Sequence, residues 1–365
     1  MANMPASQTV QRGISIVSNM GVPYQDSYKH KARKAISRMK YRKLGANGPK
    51  ISAIGLGCMS FAGFFGPTDE KTSHDCLAAA MESGIDFLDT ADIYGLGRSE
   101  TVIGNFIKTH THSFKIATKC GIRVKPTRGF DNSEGYIRSA LAGSFARLGV
   151  DYVDLYYIHR RDQSVPIEDV ALTMGKLIDE GKIGGWGLSE VSPTTIRRGH
   201  AVTPLTAVQS EYSLWTRSPE VGVLQTCEAL GITFVPFSPV GRGIFSETFP
   251  DPVKFEPSDF RYFVPRFSEP NYSDNCRLIG AFKSFCADKG WPVSAAALAW
   301  ILDQNDTMVP IPATRYAAHL KQWLPATEIS FNDTERSEID RLLPIGFAYG
   351  DRYDDARWIG PEKYS

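Results

Sequence analysis

The sequence predicts an α/β protein folded as a (β/α)8 TIM barrel, on three observations. Eight short apolar stretches recur along the chain, at 54–57, 85–88, 114–118, 153–158, 184–188, 206–209, 233–236 and 308–311. Helical periodicity fills the intervals between them, as at Leu77, Ala80, Met81 and Gly84, at Ile137, Leu141, Phe145 and Leu148, and at Val170, Met174, Leu177 and Ile178. Three joints repeat one formula, a glycine followed at once by a strand: Gly84-Ile85-Asp86-Phe87, Gly149-Val150-Asp151-Tyr152 and Gly231-Ile232-Thr233-Phe234. A glycine there suits a left-handed helix end, and so short a joint folds each helix back on a parallel sheet. The structural rival is a doubly wound open sheet. It is weakened because no GxGxxG follows an early strand.

The elements follow in order. Residues 1–38 read as a weakly packed N-terminal extension whose end is basic, with Lys29, Lys31, Arg33, Lys34 and Arg38. They lack the apolar run of about 7–15 residues that a secretory signal needs. Residues 39–365 read as one barrel domain. Its first element is a hairpin around Gly45-Ala46-Asn47-Gly48, placed to plug the N-terminal end of the barrel. After the seventh strand a long segment, 241–275, is rich in aromatics and proline, which marks a functional loop. Helices are expected around 277–289 and 293–304. The tail from Pro344, with Phe347, Tyr349, Tyr353 and Trp358, is aromatic enough to pack.

Composition narrows the function. The 365 residues are 42% hydrophobic with a net charge of +1, so neither a nucleic-acid groove nor an anionic membrane surface is suggested. No apolar run approaches the roughly 18 residues of a membrane span. Six cysteines stand apart without CxxC pairing, which predicts reduced thiols, no metal site and a cytoplasmic protein. Cys58 and Cys120 fall at strand ends, where lining a pocket is the stronger reading than attack as a nucleophile.

In a barrel, the C-terminal strand ends share one pocket. Here they carry Gly57-Cys58-Met59, Asp89, Lys119, His159, Ser189-Glu190, Gln209, Phe237-Ser238 and Pro312-Ala313-Thr314-Arg315. Tyr94 follows Asp89 in a glycine-flanked turn. An acid at a strand end needs a partner when buried, and Lys119 on the next strand supplies one. The lysine charge is expected to lower the Tyr94 pKa and make Tyr94 a proton donor to a carbonyl oxygen, with His159 donating a hydrogen bond to the same oxygen. The remaining component is a hydride donor, and a nicotinamide is the natural candidate.

Three ordered motifs carry a resemblance. Asp89-Thr90-Ala91-Asp92-Ile93-Tyr94-Gly95, Ala117-Thr118-Lys119 and Asp154-Leu155-Tyr156-Tyr157-Ile158-His159-Arg160 resemble the signatures of the aldo-keto reductases, over about 39–343. The resemblance implies an NAD(P)H-dependent oxidoreductase that interconverts aldehydes or ketones and alcohols. Tyr94 is then the general acid/base, Asp89 and Lys119 tune it, and His159 orients the carbonyl. NADPH is implied as cofactor, lying across the barrel mouth near Gly57 and Met59. Ser189 and Gln209 would hold its carboxamide, and Glu190, standing where the family often has Asn, could still accept from the carboxamide NH2 but not donate. Phe237 would stack on the nicotinamide. Ser238, Val240, Gly241, Arg242 and Gly243 would line the pyrophosphate path. Pro312, Ala313, Thr314, Arg315, His319, Gln322 and Trp323 align with the adenosine end.

There the chain departs from the family. His319 replaces a usual arginine, and Gln322 and Trp323 replace a Glu-Asn pair, which predicts weakened 2′-phosphate selectivity and use of NADH as well. Phe61, Phe64, Phe65, Tyr157 and Trp215 are the expected substrate wall. It suits a bulky ketone on a polycyclic, terpenoid or mycotoxin skeleton. Sugar-like and pyridoxal-like carbonyls are the other classes the resemblance implies. A second reading, a redox-sensing regulatory subunit like the channel β-subunits, shares these motifs. The sequence leaves monomer and homo-oligomer equally open.

Overall fold

The computed structural model describes residues 39–124, 127–363 and 365. The expected N-terminal extension, 1–38, lies outside the described residues.

A hairpin comes first, β1 (Tyr41–Lys43) and β2 (Lys50–Ser52), paired antiparallel with Tyr41 opposite Ser52. Seven parallel strands then curl in sequence order: β3 (Leu56–Gly57), β4 (Phe87–Asp89), β5 (Lys115–Cys120), β8 (Leu155–Ile158), β9 (Trp186–Ser189), β10 (Ala207–Glu211) and β11 (Thr233–Phe237). A small antiparallel ribbon, β6 (Ile122–Arg123) with β7 (Gly129–Phe130), rises from the end of β5.

The eighth position is filled by the extended segment 308–313. It bridges β11 at Phe234–Met308 and Phe237–Ile311, and β3 at Gly57–Ala313, so the barrel closes. The N–H groups of Val309 and Ile311 donate to β11 carbonyls, while Pro310 and Pro312 accept from Gly55 and Gly57. A proline accepts but has no N–H to return. Two of them thin the ladder on the β3 side, which is why this strand is the least regular of the eight.

Helices alternate with the strands: α1 (Glu70–Glu82), α2 (Arg98–Thr109), α3 (Glu134–Leu148), α4 (Ile167–Asp179), α5 (Pro193–Val202) and α6 (Val223–Leu230). The long loop after β11 is a series of short 3-10 turns leading into α7 (Asn271–Asp288) and α8 (Val293–Gln304); α9 (Ala317–Trp323) and α10 (Asp333–Leu342) follow the eighth strand. Gly84, Gly149 and Gly231 all take positive φ, 77°, 71° and 65°, as the repeated joint requires.

Two apolar layers result. Inside the barrel, Phe87, Ala117, Leu155, Ala207, Val235 and Val309 pack together, and Leu44 and Ile51 of the hairpin close them off from below. The larger layer lies between sheet and helices. The bottom is therefore sealed, and the polar strand ends open only upward.

The tail after α10 packs, as its aromatics predict. Asn275 of α7 exchanges hydrogen bonds with the Tyr349 backbone, at 2.9 Å in each direction. The Glu362 carboxylate accepts from Ser192 N at 2.8 Å and Thr195 Oγ1 at 2.7 Å, capping the start of α5. Exposed N–H groups at a helix start favour such an anion.

Candidate active site

The last residue of β4, Asp89, is 2% exposed and the last turn of β5 buries Lys119 completely. The Lys119 ammonium donates to Asp89 Oδ1, to the Thr90 carbonyl at 2.8 Å and to the Tyr94 hydroxyl at 3.4 Å. Gln209 on β10 donates to the other Asp89 oxygen at 2.9 Å. The acid thus has donors on both oxygens, as burial demands. His159 follows β8 directly. Its ring meets the Tyr94 ring edge to face, with centroids 5.8 Å apart. Phe64 packs on the other edge of Tyr94 at 5.9 Å. Adjacent barrel strands therefore deliver Asp89, Lys119 and His159 to one point, beside the Tyr94 loop.

The charges settle as follows. Burial would strip Lys119 of its proton, but Asp89 and Tyr94 outweigh it, and the ammonium is held above the ordinary lysine range. Burial pushes the His159 pKa well down, aided by Arg160 and Lys119, so the imidazole is neutral. The Tyr94 pKa runs against the sequence expectation. Removing the phenol from water raises its pKa more than nearby Lys119 lowers it. Tyr94 accordingly rests as the protonated phenol, ready to give a proton rather than take one.

These residues stand at one end of a cavity of about 850 Å³. Gly57, Met59, Ser189, Gln209 and the rim of Phe237 line it nearby. Ser238, Val240, Arg242 and Gly243 line its middle. Ala313 pairs with Gly57 across the barrel seam, and Thr314, Arg315, His319, Gln322 and Trp323 follow it along the cavity. Most of the sequence-predicted cofactor residues are thus brought to one elongated cleft.

A nicotinamide dinucleotide fits this donor set. A hydroxyl, an amide and an aromatic face stand beside the Tyr94 end. Beyond them the main chain bends tightly, with positive φ at Ser238 (50°), Gly241 (58°), Arg242 (57°) and Gly243 (100°). Such a bend brings backbone close to a ligand that bulkier geometry would exclude. At the far end Arg315 stands above the Tyr316 ring at 4.6 Å.

Several predicted residues are buried away from the cavity or, like Arg242, line it with their polar groups already engaged. Glu190 does not line the cavity. Its two oxygens are held by Arg352 Nη1 and Nη2 at 3.0 and 2.5 Å and by Glu211 N at 2.8 Å. The acceptor role expected of it toward a carboxamide is therefore taken by the tail. The Arg242 guanidinium, expected on the pyrophosphate path, instead bonds Glu211 at 2.8 Å and the Arg352 carbonyl at 2.7 Å. Gly241 and Pro312 stand behind the lining, bonded into the turn and the barrel seam. Phe61, Tyr157 and Trp215 are buried in the core, so of the expected aromatic wall only Phe64 and Phe65 face the cavity. The reason is the period-two alternation of strands and the tight packing of the following turn, which turn large side chains inward. Cys58 and Cys120, expected to line the pocket, are instead buried in the layer between sheet and helices and do not line the cavity, and burial raises both thiols, which speaks against nucleophilic attack.

Other lining residues escaped the sequence reading: Ile122, Arg128 and Phe130 on the ribbon, and Tyr353, Arg357 and Ile359 on the tail. The aromatic content of the tail was the one available signal. No group of three or more metal-ligating side chains occurs among the described residues. No helix among them is long and apolar enough to cross a membrane.

Known proteins share this fold. A glycerol dehydrogenase from Gluconobacter oxydans superposes with a TM-score of 0.76 at 25% identity, covering 83% of this chain and 94% of that one. An aldo-keto reductase from Bacillus halodurans, solved in its holo form, gives 0.68 at 26% identity over 87% and 99%. "Probable aldo-keto reductase 1" from Glycine max is 39% identical over 85% of this chain and 91% of its own length. The sequence profile of the Aldo/keto reductase family matches residues 53–344. With the strand-end residues, the barrel and the motifs in agreement, the chain belongs to the aldo/keto reductase family.

Proposed function

We propose that this protein reduces an aldehyde or ketone to the alcohol, using NADPH and accepting NADH, with Tyr94 as proton donor. Membership of the family supports NAD(P)H-dependent carbonyl reduction in general. The observation that carries the residue roles is the meeting of Tyr94, Lys119 and His159, with the Lys119 ammonium 3.4 Å from the Tyr94 hydroxyl and the His159 ring edge to face with that of Tyr94.

When bound, the reduced nicotinamide supplies a hydride to the carbonyl carbon. The Tyr94 hydroxyl gives its proton to the carbonyl oxygen, which completes the alcohol. Lys119 stabilises the phenolate left behind, and Asp89 keeps that lysine charged. His159, neutral, donates a hydrogen bond to the oxygen as charge develops there. Ser189 and Gln209 would hold the carboxamide, and Phe237 would offer its ring to the nicotinamide.

Cofactor tolerance rests on the far end of the cleft. His319 Nδ1 is 2.8 Å from Thr314 Oγ1, and burial with Arg315 nearby depresses its pKa, so it adds no charge for a 2′-phosphate. Arg315 spends one nitrogen on the Phe65 carbonyl at 2.9 Å. A single guanidinium therefore serves this end.

A panel of aldehydes and ketones followed at the nicotinamide absorbance, with each cofactor, tests the reading. Turnover with both cofactors is expected. Cofactor binding with no carbonyl turned over would replace this reading with the redox-sensing one. An NADPH preference in kcat/KM well above about a hundredfold, or about 2.7 kcal/mol, would overturn the tolerance.

A further inference from the structure

We propose that the substrate carries an anionic group, a carboxylate or a phosphate, which Arg160 and Arg128 receive at the substrate end of the cleft. This rests on the carbonyl-reduction reading of the same site.

The cavity wall is strongly one-signed. It contains six arginines, Arg128, Arg160, Arg242, Arg261, Arg315 and Arg357, against one carboxylate, Asp89. Asp89 is already matched by Lys119. Three of the six hold acids of their own: Arg242 with Glu211, Arg261 with Asp259 and Arg357 with Asp354. Arg315 belongs to the cofactor's far end. Arg160 and Arg128 remain, and neither has a carboxylate within ion-pair distance among the described residues.

Their positions are informative. Arg160 follows His159 directly. Its Nη1 donates to the His159 carbonyl at 2.7 Å and to Ser189 Oγ at 3.2 Å, both neutral acceptors. Its charge reaches Tyr94 and His159, since it counts among the influences on both. Arg128 lies in the bend just before β7, and both it and Phe130 line the cavity. Gly360 of the tail holds Phe130 and Arg160 together. A Cβ there would come within 2.7 Å of the Phe130 ring and 3.0 Å of Arg160 Cδ. Arg128 and Arg160 thus both line the cavity that Tyr94, His159 and Phe130 also line.

Arg160 acts on the buried Glu190 only at a distance, and a guanidinium with no carboxylate in contact attracts a planar carboxylate or a phosphate. A low-dielectric wall of Phe64, Phe65, Phe130 and Ile359 sharpens that attraction. The fitting substrate has an apolar or aromatic body, its carbonyl at Tyr94 and its anion toward the ribbon.

Matched pairs of substrates test this with the full-length protein and either cofactor. 4-Formylbenzoate is compared with its methyl ester, and 4-formylphenyl phosphate with benzaldehyde. Hydrogen bonds to a charged group predict a kcat/KM preference for the anion of about 10–100-fold, mostly in KM. The larger preference of the two pairs identifies carboxylate or phosphate as the anion.

R128Q alters an exposed residue and threatens folding little, and R160K keeps the charge while losing the planar fork. Each should shrink the anion-to-neutral ratio severalfold, with R160Q shrinking it most. A ratio near one in the wild type, or a ratio unmoved by all three substitutions, overturns the proposal while leaving carbonyl reduction intact. If the neutral aldehydes and the anions alike fail to turn over, the reduction reading falls and this inference falls with it.

Discussion

Two buried ion pairs sit a few strands apart at the barrel mouth and are built on opposite lines. In the Asp89–Lys119 pair the acid is satisfied, but its surroundings are not. Among the described residues His159 Nδ1, Asp92 Oδ1 and the Tyr157 hydroxyl have no hydrogen-bond partner. In the Glu190–Arg352 pair nearly every group is engaged. Glu190 takes Arg352 twice and Glu211 N. Glu211 in turn takes Arg242 at 2.8 Å and Thr216 at 3.2 Å. Arg352 lies over the rings of Tyr353 and Trp358 at 4.9 and 4.8 Å, and Arg242 over Phe260 and Tyr353 at 5.2 Å each. Buried polar groups normally find partners, and those that do not concentrate where chemistry needs them. On the function proposed above, the first pair serves reaction. The second is a latch that straps the tail across the mouth.

The latch also answers a local conflict. Glu190 has φ of +56°. Outside glycine the left-handed region costs about 1–2 kcal/mol, and Asn tolerates it best. Glutamate at this place is held there by what it bonds.

The comparison breaks most readily at Tyr94. Tyr94→Phe keeps the packing but removes the proton donor. Its kcat should fall about 10²–10⁴-fold, with cofactor affinity close to wild type by fluorescence titration. A near-normal kcat would mean that this cluster is as structural as the latch.

Arg352→Ala tests the other side. It leaves Glu190 buried without its main counter-charge, which destabilises by about 3–5 kcal/mol. Urea denaturation should show that loss, and the tail beyond Leu343 should become the first point of proteolysis. The double exchange Glu190→Gln with Arg352→Met should recover most of it. A loss under about 1 kcal/mol, the size of an exposed pair, would show that the tail is held by its aromatics alone.

The smallest effect is a pH slope, and the two regions should give opposite signs. The Asp92 carboxyl is pushed up to about 7, by burial first and by Glu100 second, from an ordinary 3.8. Between those values the folded protein holds a proton that the unfolded chain has lost. Stability from this group therefore falls as pH rises through that window, by no more than about 1.4 kcal/mol per unit. Burial also opposes ionisation of Glu190, but Arg352 overcomes it and the net pKa lies below the ordinary value. Its contribution is present above the unfolded pKa and is lost as pH falls through the folded one. Stability curves from pH 4 to 8 for Asp92→Asn should lose the falling slope and keep the acid loss. An unchanged profile would remove Asp92 from the account.

Sequence and tertiary structure divided the work by range. Strands β4, β5 and β8 were legible as apolar runs ending in Asp89, Lys119 and His159, because a strand end fixes which residue faces the mouth. The glycine joints at Gly84, Gly149 and Gly231 were legible because φ is a property of one residue. Pro310 and Pro312 hid nothing of the eighth strand but made it irregular. The tail's role was not legible. Glu190 and Arg352 are 162 residues apart, and no period or motif links such positions. A glutamate standing where Asn is usual, at a buried strand end, was the one hint that a distant cation must come to it.

By itself, then, the sequence determined the barrel and the proton-transfer cluster, because both rest on short-range pattern and on the chemistry of side chains at strand ends. Only the tertiary structure decided where the large aromatics point, that Glu190 turns from the cleft to the tail, that Arg242 lines the cleft but gives its guanidinium to Glu211 and the Arg352 carbonyl, and that burial outweighs Lys119 in setting the Tyr94 pKa. Those outcomes depend on which groups lose water together, and that is settled by the assembled fold.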